Sequence, residues 1–532
     1  MRNLLILLTL VFAGATLSWA QPHADYATAP AVASKAALDA SLHPLPQTLV
    51  ESYLTHIGQS HVFNEYEGRN GELKTLAEDH KQYLVGSGFP VGMDSQALFG
   101  EGFQDGSMTV YEAAISSVDA EMLRFLVDLS ELGEGEEAWV IDMSEPRAFG
   151  PYTSADAREG GRWLPTTVGE SAVLMVRTTG TAVPQIALLG VSHFFQRFEE
   201  VVKALACNNN IACEGNATLQ SLSSGVGMMV IPYDTYDQAL CTGSLINNSD
   251  TAELEPYFLP SWHCVPDYAD ADEVDIVWDY RATGCATNDP PSVASLPRSV
   301  GEVVLTTNGN YDVTLMRLLS VPSGSFGRTY LGWETRDPIV DEDVVTMHYP
   351  GGTHMRISYG TVIGIDEART SFIKQTNVHW DDGVTEGGSS GSPLLLADAS
   401  YRITGTLSNG PTHSCSDISG NVDWYTSFRD FYPQAEGWLT GSNPPDPDGN
   451  GGTITCAAAK AFVDNPEVLE QLRAFRDEGL MKTEWGQPLV EIYYAAAPYL
   501  VDLLEWSPKA NEAFRMAAKP FAYLGSVLSH DV

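Results

Sequence analysis

A serine set among glycines, Gly387-Gly388-Ser389-Ser390-Gly391-Ser392-Pro393, is the stretch of this chain with the clearest chemical meaning. A serine hydroxyl is a poor nucleophile at neutral pH, so Ser390 needs a histidine to take its proton and a carboxylate to orient that histidine. Both stand upstream. His263 closes an apolar run, Phe258-Leu259-Pro260-Ser261-Trp262-His263-Cys264. Asp312 opens Asp312-Val313-Thr314-Leu315-Met316-Arg317-Leu318, whose apolar residues at 313, 315 and 318 predict a largely buried strand. A buried aspartate there would accept the imidazole N–H and stabilise the imidazolium that forms as the serine proton moves. Gly388 and Gly391 permit a turn that would aim the amides of Gly388 and Ser390 at one point, an oxyanion hole. Taken singly, a Gly/Ser run is a loop, a lone histidine a core residue and an aspartate before an apolar run a cap. It is the order His, Asp, Ser, each in local context, that carries the catalytic reading.

The elements around these residues suit an exported enzyme. Met1 to Ala20 holds a single Arg2, an apolar core from Leu4 to Ala13 and a small-residue cleavage site ending at Ala20, which reads as a signal peptide. That apolar core is too short to span a membrane, and no later run of eighteen apolar residues follows, so no membrane span is expected. The expected location is secreted, periplasmic or at the cell surface. Acidic residues number 69 against 29 basic, a net charge of -40, which argues against nucleic acid or anionic membranes as partners. The excess is spread along the whole chain, so it reads as a solubility property before a substrate-steering one. No His/Cys cluster has zinc spacing. Asp446, Asp448, Asn450 and Gly451 match the start of a calcium loop, but Ala457 stands where that loop needs its glutamate. No metal site is expected, and the serine chemistry requires no cofactor.

The segment from Cys207 to about Tyr432 resembles the bacterial lysyl endopeptidases, a secreted branch of the trypsin-like serine proteases. The resemblance rests on Cys207 and Cys213, Cys241-Thr242-Gly243-Ser244-Leu245-Ile246-Asn247-Asn248, Phe258-Leu259 before His263-Cys264, Gly332-Trp333, His348-Tyr349-Pro350, Arg356-Ile357-Ser358, and Gly383-Val384-Thr385-Glu386 leading into the serine loop. It implies a mainly β, chymotrypsin-like fold of two packed antiparallel β-barrels with the triad in the crevice between them. Seven cysteines in an exported chain point to disulfides, and six alone allow about 15 pairings. The resemblance selects Cys207 with Cys415, Cys213 with Cys285 and Cys241 with Cys264, leaving Cys456 over. It also implies that Leu407-Ser408-Asn409 pairs with the substrate backbone, a β-augmentation mode. Asp423, in Asp423-Trp424-Tyr425, matches the aspartate of the family's basic-residue pocket. Two features depart from the family: its pocket histidine is matched by Ser408, and its stacking tryptophan has no counterpart between Gly360 and Ser371.

The chain then divides into a signal peptide at 1–20, a β-rich N-terminal region at 21–203 that is either a removable propeptide or a permanent module, a protease domain at 204–440, a Pro/Gly/Asp linker at 441–452 and a helical domain at 453–532. In the last, Asn465-Pro466-Glu467 starts a helix with Val468, Leu469, Leu472 and Phe475 on one face. With Cys456 it resembles a small domain appended to exported bacterial proteins, so cell-surface attachment or thiol linkage are the roles open to it. Lys203, ahead of Ala204-Leu205-Ala206-Cys207, is where an enzyme cutting after lysine would separate its own N-terminal region; the competing reading is an ordinary surface lysine. The function expected is peptide-bond hydrolysis after Lys, or also Arg, by acyl-enzyme chemistry. The alternatives are a serine protease of other specificity and a catalytically silent binding or adhesion protein of the same fold.

Overall fold

A barrel strand turns alternate residues to the packed interior, and where neighbouring structure covers its other face as well it reads as a near-continuous apolar run. Val226-Gly227-Met228-Met229-Val230-Ile231 is such a run, and all six residues are buried. In the computed structural model, residues 27–34, 45–77 and 83–441 are described, apart from 159, 199–203, 234, 250–253, 267–270, 288, 326 and 367–373, together with positions 468, 472, 475, 509, 514–521 and 523. Ala20, Lys203, Cys456 and residues 442–452 lie outside the described residues.

Two closed six-stranded antiparallel barrels make the core of the segment from 226 to 426. In the first, the strand Asp237–Leu245 pairs with Val226–Tyr233, and the sheet continues through Asp275–Val277, Arg298–Asn308, Val313–Leu318 and Tyr257–Leu259 back to its start. In the second, Ile403–Asn409 pairs with Pro393–Leu396, followed by Asp343–His348, Arg356–Asp366, Gln375–Asp382 and Val422–Thr426, which returns to Ile403–Asn409. Closure leaves neither barrel with a free sheet edge. One hydrophobic cluster joins the two, with Val226, Met228, Leu259, Val313 and Leu315 from the first and Val345, Met347, Ile357 and Leu395 from the second. The helix Phe428–Thr440, capped by Ser427 and ended by Gly441 at φ 67°, adds Phe428, Phe431, Trp438 and Leu439 to the same cluster.

The N-terminal region is β-rich, with the helices Gln47–Tyr53 and Asn70–Ala77 in its early part. The strands Gln59–Phe63, Met108–Ser117, Ser171–Thr178, Glu137–Asp142 and Arg147–Tyr152 form one sheet, with Phe103–Asp105 on Met108–Ser117. Opposite it lies a sheet containing Met122–Asp128, Ala187–Phe194 and Tyr83–Asp94, and the two enclose a core that includes Phe125, Val140, Leu174 and Val191. This second sheet does not stop at the barrel. Tyr83–Asp94 pairs directly with the barrel strand Asp237–Leu245, in the register Gly86↔Gln238, Leu84↔Ala239 and Tyr83↔Leu240.

Buried polar contacts reinforce the join. Arg162 reaches Asp272 at 3.0 Å, Arg124 reaches the Gln238 amide oxygen at 2.7 Å, and the Thr166 amide donates to Asp275 at 3.0 Å. Residues 26–441 form one unit; residues 1–25 and 442–532 form another, in which 514–521 are helical and the Phe475 and Phe521 rings lie 5.3 Å apart.

A break after Lys203 would leave all of the pairing between Tyr83–Asp94 and Asp237–Leu245 in place, along with the arginine contacts. Protein cut there is therefore expected to elute as one species in native size-exclusion chromatography and to separate into two fragments, one beginning at Ala204, only on a denaturing gel. Elution of a free N-terminal fragment under native conditions would show that the shared sheet does not hold the two parts together.

Candidate functional site

Asp312 sits immediately before the buried strand Val313–Leu318 and is itself fully buried. Its φ of 50° places it in the left-handed region, which aspartate enters more readily than most residues. The carboxylate has two tasks. It accepts the His263 backbone amide at 2.9 Å, and both of its oxygens lie 3.0 Å from His263 Nδ1. Thr314, two residues on, ties the strand to either side of the histidine turn: its amide donates to the Pro260 carbonyl at 3.1 Å and its hydroxyl to the Val265 carbonyl at 2.9 Å. The Cys241–Cys264 disulfide fastens the same turn to the strand Asp237–Leu245. Cys241, His263 and Cys264 bring their ligand atoms within 4.8 Å of one another, but with both sulfurs oxidised they offer no metal-ligand set.

Burial disfavours the charged imidazolium at His263, but the Asp312 charge and hydrogen bond together outweigh it and hold the pKa above the ordinary histidine value. The opposite holds at His348. It is fully buried, with Nδ1 at 2.7 Å from the Ser389 hydroxyl and Nε2 at 3.1 Å from the Ser358 hydroxyl. Burial, then the charges of Arg356 and His413, push its pKa down to about 3, so it stays neutral.

The serine loop hangs from this neutral ring. Ser389 Oγ accepts the Glu386 amide at 3.1 Å, while Glu386 receives the Leu205 amide at 2.8 Å. Thr242 holds the other side, with its amide on the Ser390 carbonyl and its hydroxyl on the Gly388 carbonyl, both at 2.8 Å. Gly388 and Gly391 have φ of 90° and 84°, and a Cβ on Gly391 would lie 2.2 Å from the Thr242 carbonyl oxygen, so both must be glycine. The amides of Ser389, Gly391 and Ser392 donate to Glu386, Leu407 and Ser389. Those of Gly388 and Ser390 donate to no other described residue. Such unengaged N–H groups beside a nucleophile are what an oxyanion requires.

Ser390 is half-buried, and its carbonyl oxygen lies 3.8 Å from the Cys264 sulfur, next in sequence to His263. Its Oγ makes no hydrogen bond among the described residues. The structure therefore joins His263 to Asp312 and brings the serine loop against the histidine turn without closing the serine–histidine hydrogen bond, a contact that often tightens only when substrate is bound. Leu407 closes the nucleophile loop from beyond, its carbonyl accepting the Gly391 amide and its amide donating to Ser392, both at 2.9 Å. Ser408 is buried and its hydroxyl accepts from Gln375 at 3.3 Å; Asn409 is exposed.

Asp423 lies beneath the loop rather than at the surface. Its side chain is 1% exposed and its Oδ2 accepts from Thr385 and from the Trp380 indole, each at 2.5 Å, while Oδ1 lies 2.8 Å from His413 Nε2. Cys207 is joined to Cys415 and Cys213 to Cys285. His348, Thr385 and Trp380 had no individual role in the sequence reading. His348 and Thr385 fell inside motifs quoted for resemblance, and nothing local marked Trp380 or His413. Tyr83 was also unmarked, yet its ring packs on Gly387: a Cβ there would lie 2.4 Å away.

The family described as lysyl endopeptidase, C-terminal domain, matches residues 201–426. A lysyl endopeptidase of Pseudomonas aeruginosa is 28% identical over 264 residues, which cover 48% of this chain and 56% of that protein, so the match spans little more than half of the relative's length. Among solved structures, the active form of the Rv3671c protease from M. tuberculosis matches 43% of this chain and 87% of its own at 14% identity, with a TM-score of 0.30. An HtrA-type protease, AlgW with tripeptide, matches 42% and 64% at 12% identity, also with a TM-score of 0.30.

Replacing His348 by Ala removes a fully buried ring and deprives the Ser389 and Ser358 hydroxyls of it, and should cost about 2–4 kcal/mol, read as a lower denaturant midpoint at unchanged slope. Because the folded pKa is depressed, the contribution of His348 is complete above the unfolded value of about 6.5 and is lost as pH falls toward about 3. The variant should accordingly lose less stability than wild type between pH 7 and 4.5. An equal or greater acid loss would remove His348 from this account.

Proposed function

With residues 201–426 of the lysyl endopeptidase type, a branch of the trypsin-like serine proteases, we propose that this protein is an exported serine endopeptidase. The observation that carries the reading is the His263 ring held by both oxygens of fully buried Asp312, beside a serine loop whose Gly388 and Ser390 amides bond no other described residue.

In this reading His263 Nε2 takes the Ser390 proton as Oγ adds to the scissile carbonyl. The oxygen that becomes negative is received by the amides of Gly388 and Ser390. The imidazolium then gives its proton to the departing amine, leaving an acyl-Ser390 ester and a neutral ring, and water repeats the sequence to release the acid. Asp312 stays ionised throughout, fixing the tautomer and facing the transient imidazolium. Leu407, Ser408 and Asn409 receive the substrate backbone and Asp423 the side chain before the scissile bond, giving cleavage after Lys, or also Arg. The signal peptide ending at Ala20 and the junction after Lys203 belong to the same reading as export and self-processing steps.

Fluorophosphonate labelling tests the nucleophile: wild type should label rapidly, and Ser390→Ala should fold, fail to label and lose on the order of a thousandfold in turnover. Turnover near wild type in that variant, or a wild type that does not label, would favour a silent binding protein instead. As His263 acts as a base from its neutral form, kcat/KM should rise with pH through a midpoint above the ordinary histidine value of about 6.5. The sign for stability is opposite. A raised folded pKa stabilises the fold below about 6.5 and the contribution is lost as pH climbs through the raised value. A rate independent of pH across this window would remove His263 as the base.

A further inference from the structure

A buried pocket carboxylate with no partner of its own would be left desolvated and unpaired by a neutral substrate. In the structure Asp423 is already partnered. Both His413 and Asp423 have side chains only 1% exposed, and their Nε2 and Oδ1 atoms are 2.8 Å apart. Among the described residues no Lys or Arg bonds Asp423, so His413 is the one partner there able to carry a positive charge.

The chain around His413 is built to deliver it. From Asn409 to Thr412 and from Ser416 to Gly420 the loop is exposed, and His413 is its single buried residue. Two anchors fix that inward turn: the Cys207–Cys415 disulfide, and the paired bonds of Ser414 and Asn421, at 2.9 and 2.8 Å. Gly410 closes the same space, since a Cβ there would fall 1.8 Å from Asp423 Oδ1. On its far side His413 Nδ1 is buried with no hydrogen-bond partner among the described residues. The ring therefore has one strong contact, and that contact is the carboxylate.

We propose that His413 is a specificity-determining residue of the Ser390 site, an occupant supplied by the chain itself that a substrate's ammonium or guanidinium must displace from Asp423. This rests on the protease reading above. Two consequences follow from the pairing. A neutral substrate no longer strands Asp423, because His413, Thr385 and Trp380 already satisfy it, so discrimination against neutral residues is weak. A basic substrate competes with an intramolecular partner, so the cost falls on KM more than on kcat.

The test uses matched peptide substrates that differ only in carrying Lys or norleucine before the scissile bond. His413→Ala should raise the Lys-to-norleucine ratio of kcat/KM roughly tenfold or more, mainly through a lower KM for the Lys peptide. His413→Asn, which retains an N–H donor, should stay closer to wild type. A ratio unchanged within about twofold in the Ala variant would overturn the proposal. Should the variants not fold, wild type decides it: n-butylamine, bearing the lysine ammonium, should shift one histidine ring resonance in 15N NMR as it inhibits. Inhibition with every ring unmoved would overturn the proposal too. Fluorophosphonate labelling of wild type separates the two readings: no labelling overturns the protease assignment and this inference with it, while labelling with an unchanged ratio overturns the inference alone.

Discussion

A carboxylate with no access to water must be satisfied by the protein, and at Asp312 that requirement organises the site. Its oxygens are filled by the His263 amide and by the His263 ring, so backbone and side chain of one residue are fixed by a single acid. Unpaired burial of this charge would cost several kcal/mol, which makes the histidine turn the arrangement that relieves it. Around the pair, Thr314 grips the carbonyls before and after His263, and the Cys241–Cys264 bond prevents the turn from lifting off the barrel. Barrel closure supplies the rigidity behind all three, because each anchor stands on or beside a strand paired on both sides.

Two histidines placed close to the serine loop, His263 half-buried and His348 fully buried, take opposite electrostatic outcomes. At His263 a full negative charge in direct contact wins over desolvation, and the ring becomes a stronger base. At His348 the hydrogen-bond partners among the described residues are hydroxyls and the neighbouring charge is the wrong sign, so desolvation wins and the ring is locked neutral. The first outcome suits a group that must carry a proton, the second a group that must only hold Ser389 and Ser358 in place. The rest of the loop follows from space: Thr242 approaches so closely that glycine alone fits at 391.

The N-terminal region belongs to this frame as well. Its strand Tyr83–Asp94 extends the first barrel's sheet at Asp237–Leu245, the strand that also bears Cys241 and Thr242, and Tyr83 at its end packs on Gly387. Arg124 and Arg162 are buried where the two parts meet, each matched to acceptors from the barrel side. A desolvated guanidinium is stable only while its partners remain, so these contacts resist separation of the two parts more than their number suggests.

Local sequence determined what local physics encodes. The apolar residues at 313, 315 and 318 after Asp312 had to make a buried strand, and the glycines at 388 and 391 had to turn the chain; barrel strands such as Gln375–Asp382 and Ile403–Asn409, mixed in polarity, carried no such local mark. Resemblance carried the two-barrel fold, because the matching motifs are spread collinearly along the segment. What no local pattern held was who meets whom across long separations: His413 on Asp423, His348 under Ser389, Tyr83 on Gly387, Asp94's strand on the barrel. Each depends on a contact closed by folding and on the burial that follows, and burial decides both charge state and availability. The sequence by itself determined which residues could do the chemistry and which strands would carry them; only the tertiary structure decided which charges were already paired, because hydrogen-bond partners and desolvation are properties of neighbours in space.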